Sequence, residues 1–283
     1  MHIPVLAKEV LEGLALKPGE TVVDGTLGGG GHAALMLRAT APNGKLIGFD
    51  RDERNLKIAC EGMKGTSDRV TYVHDSFANM RAHVERADAV LLDLGFSSMH
   101  VDDPERGFSF MKDGPLDMRY DISVGETAAD IVNSASREDI AEMLRVYGEE
   151  PLARQIAKAI TDRRKDEKFK TTLDLAETIA AIIPRRGKTH PATKTFQALR
   201  IAVNDELGEL KKGLESAEAI LAPGGRIAVI TFHSLEDRMV KNFFKNSSRL
   251  TGTTKKPIIP SAEEASENPR SRSAKLRIAI RTP

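Results

Sequence analysis

The chain has 283 residues, 40% of them hydrophobic, with 42 Lys+Arg against 41 Asp+Glu, enough to build one large domain or a domain with a smaller companion. A single cysteine, Cys60, excludes an internal disulfide, and the scattered histidines offer neither zinc-finger nor HExxH spacing, so no metal site is expected. The acid-bearing start MHIPVLAKEVLEGLAL lacks a signal peptide's apolar stretch and no run of 18 apolar residues occurs, so a soluble, cytoplasmic protein without membrane contact is expected.

Short apolar runs bounded by turn residues predict four strands in the first hundred residues: Thr21 to Asp24, Lys45 to Asp50, Val70 to His74 and Ala89 to Asp93. Helical stretches at Ala33 to Ala39, Glu53 to Met63 and Phe77 to Val84 separate them, and this alternation implies a parallel sheet. Between Asp103 and Asn204 the alternation stops. That stretch reads as helices alone, with starts at Ser136 and Pro151. One long helix is predicted from Ala192 to Leu221, with Phe196, Leu199, Val203, Leu207, Leu210 and Leu214 on one face. A fifth strand (Arg226 to Phe232) and a last one (Leu276 to Arg281) follow, the latter after a polar loop from Pro257 to Ser273. The expected architecture is an α/β fold, Rossmann-like, interrupted by an all-helical insert: residues 1–102 and 205–283 form one discontinuous domain and residues 103–204 the other.

The near-neutral total hides a local imbalance. Between Pro151 and Arg200 stand 12 Lys+Arg against 5 Asp+Glu, a net +7, which leaves −6 for the rest. Such a segment suits a nucleic-acid contact surface. Its candidates are Arg163, Arg164, Arg185, Arg186 and Lys188, with Lys194 beside them, and Arg270, Arg272, Lys275 and Arg277 form a second basic stretch. An ordinary solvated helix face is the competing reading.

The strand ending at Asp24 runs into Gly-Thr-Leu-Gly-Gly-Gly-Gly-His, residues 25 to 32, and then into a helix. Consecutive glycines let backbone approach a ligand, and the helix start offers unpaired N–H groups. Asp50 ends the second strand about 20 residues beyond Gly30, where a carboxylate can accept hydrogen bonds from both ribose hydroxyls. This combination serves NAD and S-adenosylmethionine equally well. His32 reads either as a ligand contact or as local packing, and Phe77 either as an adenine contact or as core. The segment Ser234-Leu235-Glu236-Asp237 has capping-box spacing, with Asp in the final place. His233, before it, ends the fifth strand on the sheet edge where ligands bind and joins the RNA-contact candidates.

Seven ordered strings, DGTLGGGGH, LLDLGFSS, DDPERGFSF, GPLDMR, TFQALRIAVNDEL, TFHSLEDR and NPRSRSAKLR, closely resemble one bacterial family, MraW, and the likeness runs nearly end to end. That family methylates the exocyclic amine of a cytidine in the decoding region of 16S ribosomal RNA, using S-adenosyl-L-methionine. The resemblance implies a class I methyltransferase sheet and an insert that embraces RNA. It implies that Gly30, Gly31 and His32 line the cofactor pocket, Asp50 holds the ribose, Phe77 lies by the adenine, and Asp93 and His100 complete the methionine end. Members of the family often have Gln where this chain has His100, and either side chain can donate a hydrogen bond. The substrate implied is ribosomal RNA within the small subunit, and a homodimer is compatible. Many amino-methyltransferases carry Asp/Asn/Ser-Pro-Pro-Tyr/Phe after the fourth strand, whereas this chain has Asp93-Leu94-Gly95-Phe96-Ser97-Ser98. Asp93, Ser97 and Ser98 are therefore the catalytic candidates, with Phe96 placed to pack against the flipped base.

Overall fold

The computed structural model describes residues 4–66, 68–95, 98–183 and 190–283, with residues 98 and 99 as backbone only. It divides into two compact units, Met1–Gly95 with Leu207–Pro283, and Phe96–Glu206. Among the described residues no helix is long and apolar enough to cross a membrane.

The first unit is built on seven strands: β1 (Thr21–Asp24), β2 (Lys45–Asp50), β3 (Val70–His74), β4 (Ala87–Asp93), β5 (Leu221–Thr231), β6 (Leu250–Gly252) and β7 (Lys275–Arg281). Their spatial order is β3-β2-β1-β4-β5-β7-β6. The strands up to β5 pair in parallel, while β7 runs antiparallel to both β5 and β6. The sheet is buried on both faces, as parallel sheets require. One apolar layer contains Val22, Leu46, Leu91, Ile230 and Leu276. The other contains Val23, Phe49, Val90, Leu92 and Val229. Adjacent residues of one strand thus supply opposite layers, following the two-residue period of a strand.

The chain winds outward from β1 to β3 and then returns to the other side of β1 to form β4. Order therefore reverses between β1 and β4, and the crevice beyond their carboxyl ends is where open α/β sheets hold ligands. Asp24 ends β1 and Asp93 ends β4, so two carboxylates flank that crevice.

Five helices make up most of the second unit: Ala128–Ser134, Arg137–Tyr147, Ala153–Arg163, Thr172–Ile182 and Thr193–Asn204. Their core gathers Leu116, Met118, Ile140, Leu144, Ile156, Ile160, Phe169, Leu175 and Leu199. Ser136 caps its helix by accepting the Asp139 N–H at 3.0 Å.

Several elements differ from the sequence reading, among them the helix expected over Phe77 to Val84, which is a 3-10 turn, Phe77–Asn79, followed by a four-residue helix, Met80–His83. The helix expected from Ala192 to Leu221 is two helices, Thr193–Asn204 and Glu206–Ile220, broken at Asp205, which takes a left-handed φ of 48°. Asp is among the few residues that tolerate that conformation. Asn204 anchors the break, its side chain accepting the Tyr120 N–H and donating to Met118 O. The polar loop after Pro257 contains a short helix, Ala262–Glu267, whose N-cap Ser261 accepts the Glu264 N–H. Finally, β6 has only three residues and no readable alternation, and the sheet edge imposes it.

Candidate functional site

The glycine loop is held from both sides. Gly25 N–H donates to Leu91 O of β4 and Leu27 N–H to Phe49 O of β2, both at 2.9 Å, so the loop lies over the crevice floor. Gly30 serves as N-cap of the Gly31–Ala39 helix with a φ of 78°, and Gly28 has a φ of 51°. A side chain at either position would be strained.

Asp50 ties this loop to β2. Its Oδ2 accepts from Gly28 N at 2.9 Å and from Asn55 Nδ2 at 3.0 Å, and its Oδ1 accepts from Asp52 N at 2.8 Å. These donors fix the carboxylate's plane and hold it at the strand end. Sequence reasoning picked out Asp50 but missed Asn55. That residue sits one helical turn into the Glu53–Gly62 helix, and its role follows only from the close approach of that helix to β2.

At the reversal point stands a charged cluster. Asp24 is fully buried, accepting from Thr26 N at 3.1 Å, and Thr26 in turn donates its hydroxyl to the same oxygen at 3.5 Å. Thr26 Oγ1 also accepts the Asp93 N–H at 2.6 Å, which ties the ends of β1 and β4 together. His32, buried in the first turn of its helix, brings Nε2 to 3.5 Å from Asp93 Oδ2. This is charge contact without hydrogen-bond geometry, since His32 Nε2 and Asp93 Oδ1 are both buried with no hydrogen-bond partner. Burial pushes the Asp24 carboxyl up to about 6 against the opposing pull of His32 and Thr26, and the neighbouring charges of Asp93 and Asp50 add to the rise. Burial works to lower the His32 value, but the carboxylates of Asp93 and Asp24 and a bond to Val5 outweigh it and raise the imidazole above its ordinary range. Two carboxylates beside His32 concentrate negative charge here, and Asp93 Oδ1 remains an acceptor without a hydrogen-bond partner. That combination could receive an ammonium, while the N–H groups at the helix start could receive a carboxylate. An amino-acid moiety carries both, so the residues present fit the methionine end of S-adenosylmethionine. Asp24 and Thr26 were not singled out from sequence, because they look like the ordinary end of a strand and the start of a turn.

Phe77 opens a single 3-10 turn, Phe77–Asn79, after β3 and packs on the second apolar layer. Two glycines make room for it. A Cβ on Gly213 would fall inside the van der Waals radius of Phe77 Cδ2 and Cε2, and a Cβ on Gly25 would lie 2.9 Å from Phe77 Cβ. Ser76 caps the turn by accepting the Ala78 N–H and donates its own hydroxyl to Glu209. The ring is thus fixed between the glycine loop and the Glu206–Ile220 helix.

The other sequence candidates scatter. Ser97, Arg185, Arg186, Lys188 and the neighbouring Phe96 lie outside the described residues, and Ser98 begins a short helix, Ser98–Asp102. His100 belongs to the second unit, where its buried ring stacks on Phe108 at 4.9 Å and lies 5.2 Å from Tyr120. Arg163 is committed inside that unit: its guanidinium pairs with Asp174 at 2.8 Å and covers the Phe169 ring at 4.8 Å. Arg164 donates to Val132 O at 2.7 Å. These bonds hold both side chains within the unit, an arrangement the +7 count could not show.

His233 follows β5, and its buried Nε2 has no hydrogen-bond partner. It is the N-cap of the Ser234–Asn246 helix, with Glu236 at the third position returning a bond to its backbone, so the capping box sits one residue earlier than the sequence spacing suggested. Glu236 takes the place because its buried carboxylate also accepts the Phe232 N–H at 2.8 Å, whereas Asp237 turns to Arg277, 2.7 Å away.

Comparison with known proteins identifies the family. Over 99% of this chain, it is 50% identical to the ribosomal RNA small subunit methyltransferase H of Dictyoglomus thermophilum, covering 97% of that protein. The protein of the same name from Synechococcus elongatus is 49% identical over 99% of this chain and 94% of its own length. A crystal structure from Clostridium thermocellum, provisionally assigned as an rRNA methylase, matches 99% of this chain and all of its own with a TM-score of 0.51 at 14% identity, a likeness of fold alone. The MraW methylase family model matches residues 1–282. With a reversed-order α/β sheet, a glycine loop tied to a strand-end acid, and a family match across its length, the chain belongs to the MraW methylase family.

Proposed function

We propose that this chain transfers the methyl group of S-adenosyl-L-methionine to the N4 amine of a cytidine in the decoding region of 16S ribosomal RNA. The observation that carries the reading is the cluster at the strand reversal, where Asp93 presents an unpartnered carboxylate oxygen beside His32 and the helix start at Gly31. The names of the relatives support the ribosomal RNA substrate. The basic stretch of the helical insert, residues 103–204, supports RNA contact through Arg185, Arg186 and Lys188. A cytoplasmic setting, small-subunit context and a homodimer belong to the same reading.

In this mechanism Gly30, Gly31 and His32 hold the methionine end, Asp50 the ribose and Phe77 the adenine, with His100 assigned to the site by resemblance. The cofactor, when bound, supplies an electrophilic methyl group. A cytosine amine is a poor nucleophile because its lone pair is delocalised into the ring. Asp93, with Ser97, Ser98 and nearby main-chain carbonyls, accepts an N–H of the amine and orients the nitrogen in line with the methyl. The base must leave its stack to reach the crevice, and Phe96 packs against it once flipped.

The test is transfer of radiolabelled methyl from S-adenosylmethionine to free 16S RNA and to purified small subunits, with Asp93→Asn compared in single turnovers at saturating cofactor. Incorporation that falls strongly in the variant supports the reading. A parental rate in Asp93→Asn, with weakened cofactor binding alone, would leave Asp93 as a binding residue only.

A further inference from the structure

The proposed site covers the β1/β4 crevice, yet the same sheet edge continues onto β5 and β7, where a second pocket opens. Its walls come from the residues that follow β5, Phe232 and His233, from Ile259 and Pro260, and from Arg272 and Lys275 at the start of β7. Its chemistry is divided. Phe232, Ile259 and Pro260 supply its apolar lining, and Ile259 is 64% exposed, so its side chain is accessible to a ligand. The same pocket is lined by two cations. Arg272 is exposed and anchored by its Nε donating to Ala265 O at 3.1 Å, and no ion pair among the described residues engages it. Lys275 lies 3.5 Å from Asp237, but that carboxylate is already bonded by Arg277 at 2.7 Å and 3.3 Å. Burial alone would push the Asp237 carboxyl up, and the bond and charge of Arg277 with the charge of Lys275 hold it below its ordinary value. Two guanidinium or ammonium groups therefore share one carboxylate, and Arg272 adds a third cation with none.

We propose that this pocket is the subsite for the nucleotide next to the methylated one, its phosphate held by Arg272 and Lys275 and its base laid against Phe232 and Ile259. The inference rests on the RNA reading above. Apolar groups and cations lining one pocket are what an unstacked nucleotide requires, since bases stack on apolar and aromatic groups while phosphates need positive charge. Spacing agrees. β5 and β7 are the first and second strands beyond β4, so at about 4.8 Å per strand the pocket lies roughly 5 to 10 Å along the edge from the crevice. That distance is about one nucleotide step in an extended strand. A flipped cytidine needs its neighbours restrained outside the crevice, and this pocket supplies the restraint from the same rigid sheet.

The experiment compares the parental enzyme with Arg272→Ala/Lys275→Ala on small-subunit RNA, reading cofactor Kd, KM for RNA and its salt dependence, alongside anisotropy of a single-stranded RNA oligonucleotide with a central cytidine. The expected result is a KM and an oligonucleotide Kd raised about tenfold or more, unchanged cofactor Kd, and a log-log salt slope shallower by about 0.7 for each phosphate no longer neutralised. Unchanged RNA affinity and salt slope overturn the proposal. Ile259→Ser changes an exposed residue and keeps the test available should the double variant misfold: weaker oligonucleotide binding supports the base contact, and parental binding overturns it. A parent that transfers no methyl to RNA would defeat the functional reading, and the subsite would then be judged on the oligonucleotide arm alone.

Discussion

Replacing Asp50 with asparagine tests how the glycine loop is held, because the two side chains differ in donor count and hardly in shape. The carboxylate accepts Gly28 N and Asn55 Nδ2 on one oxygen and Asp52 N on the other. An asparagine has one oxygen and one NH2 group. If its oxygen faces Gly28 and Asn55, the NH2 opposes the Asp52 N–H; if it is turned around, two bonds are lost instead of one. The better arrangement still forfeits one bond to a charged acceptor and sets two donors against each other, a cost of about 1.5 to 3 kcal/mol. At about 2 to 4 °C per kcal/mol for a protein approaching this size, the melting temperature should fall by about 3 to 12 °C. Thermal melts without cofactor, supported by urea titration, read this directly. In parallel, Asp50→Ala should weaken S-adenosylmethionine binding about 10- to 100-fold by calorimetry, since the charged acceptor at the strand end goes and the glycine loop loses its tie. An Asp50→Asn melt that coincides with the parental one would refute the argument that this carboxylate fixes the loop.

Asp24, with its carboxyl raised from 3.8 to about 6, binds a proton more tightly in the folded state, so the parent gains stability as pH falls from 6 toward 4. Asp24→Asn lacks that gain, and its stability relative to the parent should rise as pH increases from 4 to 7; a difference that stays constant across this range contradicts the burial argument. Gly213→Ala sets about 1 kcal/mol of added helix propensity against the 1 to 3 kcal/mol typical of overpacking at the Phe77 ring, and cofactor affinity should drop several-fold; unchanged affinity in calorimetry would remove Phe77 from the adenine site. Arg163→Ala should lower the melting temperature by loosening the Asp174 pair and the Phe169 contact while leaving the salt dependence of RNA binding unaltered. Charge reversal at Arg185 and Arg186 should do the opposite, with a shallower salt slope and intact cofactor binding; equal slopes in variant and parent would return both to the solvated surface.

The sheet was legible because its evidence is local. TVVD, KLIGFD, VTYVH and AVLLD each announce a strand within their own residues, and the gap from Gly30 to Asp50 links loop and acid along the chain. Groups that act through contacts between elements left no such trace. Thr26 bonds Asp93 across 67 positions, and Gly213 matters only because Phe77 fills the space its side chain would take. Charge counting is blind to contacts for a related reason. Net charge over residues 151 to 200 does not say that Arg163 faces Asp174 or that Arg164 bonds a carbonyl. The cap at His233 was displaced by one residue because Glu236 and Asp237 are chemically alike in sequence, and the nearby Arg277 of β7 decides between them.

Mass spectrometry of the nucleosides of 16S RNA is the most direct measurement, after incubation of unmethylated small subunits with enzyme and S-adenosylmethionine. The account requires N4-methylcytidine, mapped to a single cytidine of the decoding region, absent without enzyme and strongly reduced with Asp93→Asn. Methyl groups on a ring carbon, on a ribose hydroxyl or on another base, or none on the RNA, would contradict it.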